Sequence, residues 1–241
     1  MPPPAGTITQ SRPRRVLPRW AGLVAAVALL VATNVLVGLV WPAWAVPWKV
    51  AVTALLLVLA RACGLGRDDL GLGRRFLGRG LVYGGIAVVI IGVVYLVGIA
   101  LPATRPAFED TRAAGSAGVL LYAALVRIPF GTVLLEEVAF RSVLPGLVGG
   151  GWWRRTLVAS ALFGLWHVVP SLGLSSANAA VGATLGDWGD VGRAALAVVS
   201  TFAAGILLCA WRRWGGHLVT PMLAHLATNS LGVVFAWFLI S

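Results

Sequence analysis

The amino-acid sequence predicts an all-α membrane protein, a polytopic bundle of about seven membrane-spanning helices with a cytoplasmic N-terminus. Three observations support this fold class. Hydrophobic residues make up 59% of the chain and charged residues 11%, whereas about a quarter of a soluble globular chain is charged. Apolar runs of about 20 residues, long enough to cross a bilayer core, recur along the sequence. The basic residues behind the net charge of +11 cluster between these runs, which is typical of cytoplasmic loops.

Taken in order, the chain begins with residues 1–19, which are rich in proline and arginine and lack periodicity. We expect them to form a disordered, basic cytoplasmic tail. The transmembrane domain then covers residues 20–241. Its first apolar run precedes Ala43-Trp44-Ala45, which looks like a signal-peptidase site. That run exceeds the about 7–15 apolar residues of a signal peptide and a second run follows at once, so we expect a retained span. The predicted spans are 20–40, 46–60, 81–101, 118–148, 156–169, 193–210 and 218–240.

The connections between these spans alternate in charge. Arginines crowd the connections at 61–79, 149–155 and 211–214, whereas those at 102–116 and 171–192 are balanced or acidic. Seven spans with a cytoplasmic N-terminus place every arginine-rich connection in the cytoplasm. We expect the protein to reside in the plasma membrane. Because the positive charge is distributed in this way, we do not expect nucleic acid as a partner. The two cysteines are too far apart to indicate a disulfide framework or a C-x-x-C metal site.

The fourth predicted span contains Glu136, Glu137 and Arg141, although the whole chain has only 8 acidic residues. An ionisable cluster inside a membrane is expensive and indicates a functional site by default. Glu137 and Arg141 are four residues apart with the acid first, the favourable order for a helical ion pair. Glu136 points about 100° away from that pair on an ideal helix. We therefore expect Glu137 to be neutralised and Glu136 to be available for chemistry.

Polar residues also interrupt two later spans. Phe163-x-x-x-His167 lies in one span, and His225 and Asn229 share a helix face in another. Each polar residue alone is compatible with a hydrogen bond between membrane helices. Together, a carboxylate, two imidazoles and an amide at similar depth exceed what packing requires, and helix bundles build their sites from facing side chains. We expect Glu136, His167 and His225 to converge on one cavity.

These side chains suit the addition of water to a carbonyl group. Glu136 can act as general base on a water molecule positioned by His167. His225 and Asn229 can donate hydrogen bonds to the oxyanion that develops. Glu136, His167 and His225 also match the ligand types of a zinc site with an open position. The residues therefore leave two possibilities open, no cofactor or a single zinc-like divalent ion, although the H-E-x-x-H pattern of zincins is absent.

The chain resembles the CPBP family of intramembrane proteases, which includes CAAX prenyl endopeptidases of the Rce1 type and bacterial Abi-domain proteins. The resemblance covers about residues 118–235 and rests on three motifs in the same order, Glu136-Glu137-x-x-x-Arg141, Phe163-x-x-x-His167 and His225-x-x-x-Asn229. It implies that Glu136 and His167 activate the catalytic water and that His225 and Asn229 form the oxyanion site. It further implies that Glu137 completes the catalytic set, with Arg141 and Phe163 in support. The family has been described both as metalloproteases and as glutamate proteases, so the metal stays open.

We therefore expect an intramembrane endopeptidase that cuts a membrane-associated protein or peptide, with CAAX-like substrates as one class and with its cavity open to the cytoplasm. Two alternatives remain. A non-catalytic binding or immunity protein could use the same cavity. An ion-coupled transporter would need polar residues in both halves of the bilayer, and in the outer half we find only Arg127 and the edges of the loops. The sequence carries no signal for the oligomeric state.

Overall fold

A computed structural model describes residues 16–171 and 189–241. These residues form helices and turns without a strand, which confirms the predicted all-α fold. The predicted disordered tail lies outside the described residues as far as residue 15, and so does most of the predicted connection at 171–192.

Eight α-helical segments follow one another in the described residues, labelled α1 to α8 in chain order, and two short 3₁₀ turns, Arg105–Phe108 and Thr111–Ala113, lie between α3 and α4. Short π-helical turns are included within several of them. Their bounds are α1 Arg19–Val40, α2 Pro42–Ala62, α3 Arg74–Ala100, α4 Ala117–Val148, α5 Trp152–Trp166, α6 Val168–Ser171, α7 Gly189–Gly215 and α8 Val219–Ile240. Six of these, α1 to α4, α7 and α8, are long and apolar enough to cross a membrane.

The predicted fifth span corresponds to α5, which has 15 residues and is shorter than the about 20 needed to cross a bilayer core. Pro170 explains where α5 ends. Proline has no backbone N–H, so the carbonyl of Trp166, four residues earlier, loses its helical partner. The Asn34 side chain of α1 donates a hydrogen bond to that carbonyl at 2.9 Å. The chain then resumes as the short helix α6.

Helix α4 is the centre of the bundle, and residues 135–147 on it are all buried. Its regular segments, Ala117–Tyr122, Leu134–Glu137 and Leu144–Val148, alternate with π-helical turns. Pro129 removes one hydrogen bond from the helix, and π turns and prolines are the usual causes of helix bending. The fully buried side chains around α4 include Leu56 of α2, with Leu135, Phe140 and Leu144 of α4 itself.

The bundle has two ends, and hydrogen bonds define both. At the first end, the backbone N–H of Val16 donates to Ala62 at 2.9 Å and that of Leu218 donates to Gly71 at 2.7 Å. We call this end, formed by residues 16–19, 61–79, 149–155 and 212–218, the arginine face. It carries Arg19, Arg61, Arg67, Arg74, Arg75, Arg79, Arg154, Arg155, Arg212 and Arg213, against Asp68 and Asp69.

The other end, which we call the opposite face, joins residues 36–45, 101–116 and 167–171 with the end of α8. The Asn34–Trp166 hydrogen bond lies beside it, and the indole of Trp237 donates to the Gly115 carbonyl at 2.9 Å. The alternation of charged connections predicted from sequence is therefore present as two distinct ends of the molecule. The assignment of the arginine face to the cytoplasm stays a prediction.

Helices α3 and α8 approach each other closely through glycines. The Thr220 hydroxyl donates to the carbonyl of Gly80 at 3.2 Å, and a Cβ at Gly84 would lie 2.6–3.2 Å from the side chain of Leu223. Small residues are what membrane helices use at such contacts. The neighbouring Gly85 has no atom within 4 Å of an added Cβ, so only one of the two adjacent glycines is needed for packing.

We predict that Gly84→Leu destabilises the protein and that Gly85→Leu does not. The first substitution forces Leu223 out of its place, and overpacking of this kind costs about 1–3 kcal/mol. The second adds a side chain in open space and removes a glycine from a helix, which favours the helix. Thermal unfolding of the purified variants in detergent measures the difference. Equal unfolding temperatures would contradict the close packing of α3 on α8.

Candidate active site

Helix α4 places two adjacent carboxylates in the interior, with Glu136 3% and Glu137 0% exposed. The two oxygens of Glu136 differ in their surroundings. The indole N–H of Trp166 donates a hydrogen bond to Oε1 at 3.0 Å. Oε2 is buried and has no hydrogen-bond partner among the described residues. One oxygen is held in place and the other is free to bind.

Two imidazoles face the free oxygen. Oε2 of Glu136 lies 3.9 Å from Nε2 of His167 and 3.8 Å from Nε2 of His225. These distances exceed those of direct hydrogen bonds. Two atoms 3.8 Å apart can both lie about 2.8 Å from one water molecule, however, which is the separation of a bridging water. The structure thus brings these three side chains, from α4, the end of α5 and α8, to one point.

The orientation of His167 follows from the end of α5. Nδ1 of His167 lies 2.8 Å from the carbonyl oxygen of Phe163. A carbonyl oxygen can only accept, so Nδ1 is the donor, and in the neutral ring the lone pair is then on Nε2. That lone pair is directed towards Glu136. The phenyl ring of Phe163 packs edge-on against the imidazole, with ring centres 4.5 Å apart.

The second glutamate has two partners. Oε1 of Glu137 lies 3.5 Å from Nη1 of Arg141, which is the predicted ion pair, and 2.7 Å from Nδ1 of His225. Both Glu137 and Arg141 have fully buried side chains. The guanidinium also stands 3.8 Å above the centre of the Phe163 ring, which adds a cation–π interaction. Glu137 is therefore balanced by a cation on its own helix and hydrogen-bonded to an imidazole on α8.

Sequence reasoning missed three features of this site. It paired Glu137 with Arg141 alone, because His225 lies 88 residues away and no local spacing relates the two. It also missed Trp166, although a buried indole N–H needs a hydrogen-bond acceptor. Finally, it missed Lys49, whose ammonium group lies 5.6 Å from the centre of the Trp166 ring. Lys49 carried a usable signal, since it is the only lysine of the chain and falls within a predicted span.

Two cavities meet at the site. The larger, of about 860 Å³, is lined with polar and charged groups that include Lys49, Asp110 and Arg127. The smaller, of about 430 Å³, has mostly apolar walls from α3, α7 and α8. The residues that line both are Thr132, Glu136, His167, Thr228 and Asn229. Asn229, one turn beyond His225, thus lies where the two cavities join.

The larger cavity leads to the opposite face of the bundle. Its walls include Ala107 and Arg112, which are exposed, and it descends to the buried Glu136. Two expectations from the sequence therefore conflict, because the arginine face cannot be cytoplasmic while this cavity opens to the cytoplasm. At its mouth Arg112 forms an ion pair with Asp110, and hydrogen bonds from Arg112 hold the pKa of Asp110 below its usual range despite partial burial.

Glu136, His167 and His225 are also the predicted metal ligands. In tetrahedral zinc, ligand atoms at bonds of about 2.0–2.1 Å are separated by about 3.3 Å, and the separations here are 3.8 and 3.9 Å. As placed, no group of three His, Cys, Asp or Glu side chains within residues 16–171 and 189–241 could hold a metal ion. The residues as arranged do not fit a tetrahedral zinc site.

Comparison with known protein families gives a match over the second half of the chain. A family model described as type II CAAX prenyl endopeptidase Rce1-like matches residues 118–231, which contain all of the motif residues. No curated protein and no solved structure matches the chain.

The buried pair of Glu137 and Arg141 generates a prediction about stability. Arg141→Met should destabilise the protein by about 3–5 kcal/mol, because it leaves a buried carboxylate without its cation. The double variant Glu137→Gln/Arg141→Met should recover part of that loss. Unfolding of purified protein in detergent gives both values, and a double-mutant cycle isolates the interaction.

Arg127→Met is the matched control, since Arg127 is an exposed arginine on the same helix. It should change stability by less than about 1 kcal/mol, as surface substitutions usually do. If Arg141→Met were as mild as this control, Arg141 would not be what balances Glu137.

Proposed function

We propose that this multi-pass membrane protein hydrolyses a peptide bond through a water molecule activated by Glu136. The match to an Rce1-like family model at residues 118–231 supports the proposal. It confirms the predicted family resemblance and implies a CAAX-type intramembrane protease. The proposed substrate is a membrane-associated protein or peptide, and we place the enzyme in the plasma membrane. A binding protein that uses the same cavity is the main alternative for the test below, and a transporter is not favoured.

The observation that carries the proposal is the free Oε2 atom of Glu136. It is buried, lacks a hydrogen-bond partner among the described residues and faces Nε2 of His167 and His225 at 3.9 and 3.8 Å. A carboxylate oxygen in that position can accept a hydrogen bond from a water molecule, and so can the lone pair of His167. A water molecule that donates both hydrogens in this way directs a lone pair of its oxygen away from them, towards a substrate carbonyl carbon. This is the arrangement that general-base catalysis needs.

In the first step, the water oxygen bonds to the carbonyl carbon while one water proton moves to Glu136. The carbonyl oxygen becomes an oxyanion, and donors aimed at that oxygen lower the barrier. We assign this role to His225 and Asn229. Nε2 of His225 can donate only when both ring nitrogens carry protons, and the carboxylate of Glu137 at 2.7 Å from Nδ1 is placed to balance that imidazolium charge. Arg141 in turn balances Glu137 when the imidazole is neutral.

In the second step, the C–N bond breaks and the oxyanion returns to a carbonyl as part of the new carboxyl group. The leaving nitrogen needs a proton, and protonated Glu136 is the group that can supply it. This transfer restores the carboxylate of Glu136. Atoms and charge balance with water as the only co-reactant.

Trp166 and Phe163 have supporting roles in this mechanism. Trp166 fixes one oxygen of Glu136 by its hydrogen bond, so the carboxylate cannot rotate away from the water. The Phe163 carbonyl sets the tautomer of His167, and the Phe163 ring packs against both the imidazole of His167 and the guanidinium of Arg141. Fixed partners of this kind preorganise a site before substrate arrives.

We predict that Glu136→Gln abolishes cleavage without unfolding the protein. Removal of a general base lowers the rate by about 100-fold or more, whereas the amide oxygen of glutamine can still accept the Trp166 hydrogen bond. The measurement is cleavage of a membrane-peptide library by purified protein in detergent, with thermal unfolding measured in parallel. Glu109→Gln is the matched control, because Glu109 is exposed and does not line either cavity.

The outcomes separate the alternatives. Cleavage that is lost in Glu136→Gln and unaffected by a chelator supports a glutamate-activated water. Loss by chelation as well would make Glu136, His167 and His225 metal ligands in the working enzyme. Absence of cleavage by folded wild-type protein would favour the binding protein.

A further inference from the structure

The positive charge of the bundle is concentrated at one of its two ends, the arginine face. Hydrogen bonds bring the arginine-rich connections together at one end. Besides the Val16–Ala62 and Leu218–Gly71 backbone contacts, the Arg212 side chain donates to the carbonyl of Asp69 at 3.2 Å and to that of Arg141. The arginine face is therefore one physical surface and not several clusters scattered over the protein. A membrane surface with so many more arginines than acids is cytoplasmic by the positive-inside rule.

The opposite face carries few basic groups in balance with acids. In the 101–116 connection, Arg105 pairs with Glu109 at 3.8 Å and Arg112 pairs with Asp110. Hydrogen bonds raise the pKa of Arg112 and lower that of Asp110, so both are charged and neutralise each other. The described 101–116 connection therefore offers no net positive charge to retain this end in the cytoplasm.

The cavity is lined from this opposite end. Its wall residues come from the second half of α1, the start of α2, the end of α3, the 101–116 connection, residues 127–136 of α4, the end of α5, α6 and the later part of α8. None of the described wall residues belongs to the segments that form the arginine face. The wall residues nearest the mouth are Ala107, Asp110 and Arg112, and the deepest are Glu136, Trp166 and His167.

The part of α4 between Glu136 and the arginine face is long and buried. Glu136 is separated from Val148, where α4 ends at the arginine face, by about 18 Å of helix. That stretch, residues 137–147, is fully buried and packed by α1, α2 and α5. The side chains of Phe140 and Leu144, 2% and 0% exposed, fill the interior between the carboxylate and the arginine face. The polar cavity therefore gives water and polypeptide a described route to Glu136 from the opposite face. On the side of the arginine face, the space that reaches Glu136 is the mostly apolar cavity, which extends along α7 to Trp211.

We infer that the site receives its substrate from the non-cytoplasmic side of the membrane, so that the bond cut belongs to a polypeptide segment exposed outside the cytoplasm and anchored in the bilayer. The inference rests on the proposed endopeptidase function and narrows its substrate class. The polar cavity admits the exposed segment. The apolar cavity, walled by Ile90 of α3 and Leu207 of α7, suits the part that stays in lipid.

A labelling experiment tests the direction of access without any proteolysis. Three single cysteines are introduced, Ala107→Cys at the mouth, Thr132→Cys beside the site and Gly151→Cys on the arginine face. Gly151 is exposed and has open space for a side chain. Spheroplasts of a bacterial expression host are treated with a charged, membrane-impermeant maleimide, and a permeant maleimide gives the total. Wild-type protein supplies the baseline, since Cys63 and Cys209 are buried.

We expect Ala107→Cys and Thr132→Cys to react in intact spheroplasts and Gly151→Cys to react only after permeabilisation. Labelling of Gly151→Cys in intact spheroplasts would place the arginine face outside and overturn the inference. So would a Thr132→Cys that reacts only after permeabilisation while the permeant reagent labels it in full, because the route to the site would then start in the cytoplasm.

A vesicle assay links access to cleavage. Right-side-out and inverted membrane vesicles that contain the full chain receive the membrane-peptide library from outside, and activity is measured again after detergent. We expect right-side-out vesicles to show most of their detergent-released activity and inverted vesicles to show little. Activity confined to inverted vesicles would overturn the inference while leaving the endopeptidase intact. Absence of activity even in detergent would instead overturn the proposed function, and the labelling result would still report the side.

Discussion

Burial of two adjacent carboxylates in an apolar helix is the constraint on which the rest of the site depends. An ion placed in a low-dielectric interior is costly unless it is paired and hydrogen-bonded. Helix α4 meets this requirement for Glu137 with Arg141 one turn later and with His225 from α8. Arg141 is itself buried, so it needs the ring of Phe163 from α5 against its face. Neutralising one carboxylate therefore already requires three helices in a fixed relation.

Compensation of Glu137 leaves its neighbour free. Successive residues on a helix point in different directions, so the partners of Glu137 cannot also serve Glu136. Trp166 satisfies one oxygen of Glu136 and leaves the other facing two imidazoles. The structure thus gives two identical side chains different surroundings. Oε1 of Glu137 has a cation and an imidazole as partners, whereas the free oxygen of Glu136 faces two imidazoles across a gap that one water molecule can bridge. Unsatisfied buried polar atoms are rare in folded proteins, and a catalytic role is one of the accepted reasons for them.

Local sequence was informative wherever the relevant contact lies within one helix or follows from composition. The Glu137–Arg141 pair, the shared face of His225 and Asn229 and the membrane-spanning class all follow from spacing or hydropathy. Contacts between distant segments were not predictable in this way. The Trp166–Glu136 hydrogen bond and the Glu137–His225 contact depend on how α5 and α8 pack on α4. The end of α5 combines both kinds of information. Pro170 is a local signal that is visible in the sequence, whereas the hydrogen bond from Asn34 to the carbonyl of Trp166 joins distant segments and was not predictable.

The side of the membrane to which the larger cavity opens does not follow from the catalytic motifs. The family match begins at residue 118, near the start of α4, and so excludes α1 to α3. The motifs inside the matched segment determine which side chains meet, but they contain nothing that orients the segment in a bilayer. Orientation is set by the charge of the connections, and three arginine-rich regions of the sequence, at 12–19, 61–79 and 149–155, lie at or before the first third of the matched segment. A domain with the same catalytic residues can therefore face either side of a membrane, depending on the segments around it. The substrate side of this protein must accordingly be inferred from its own charge distribution and cavity, and not from the family match.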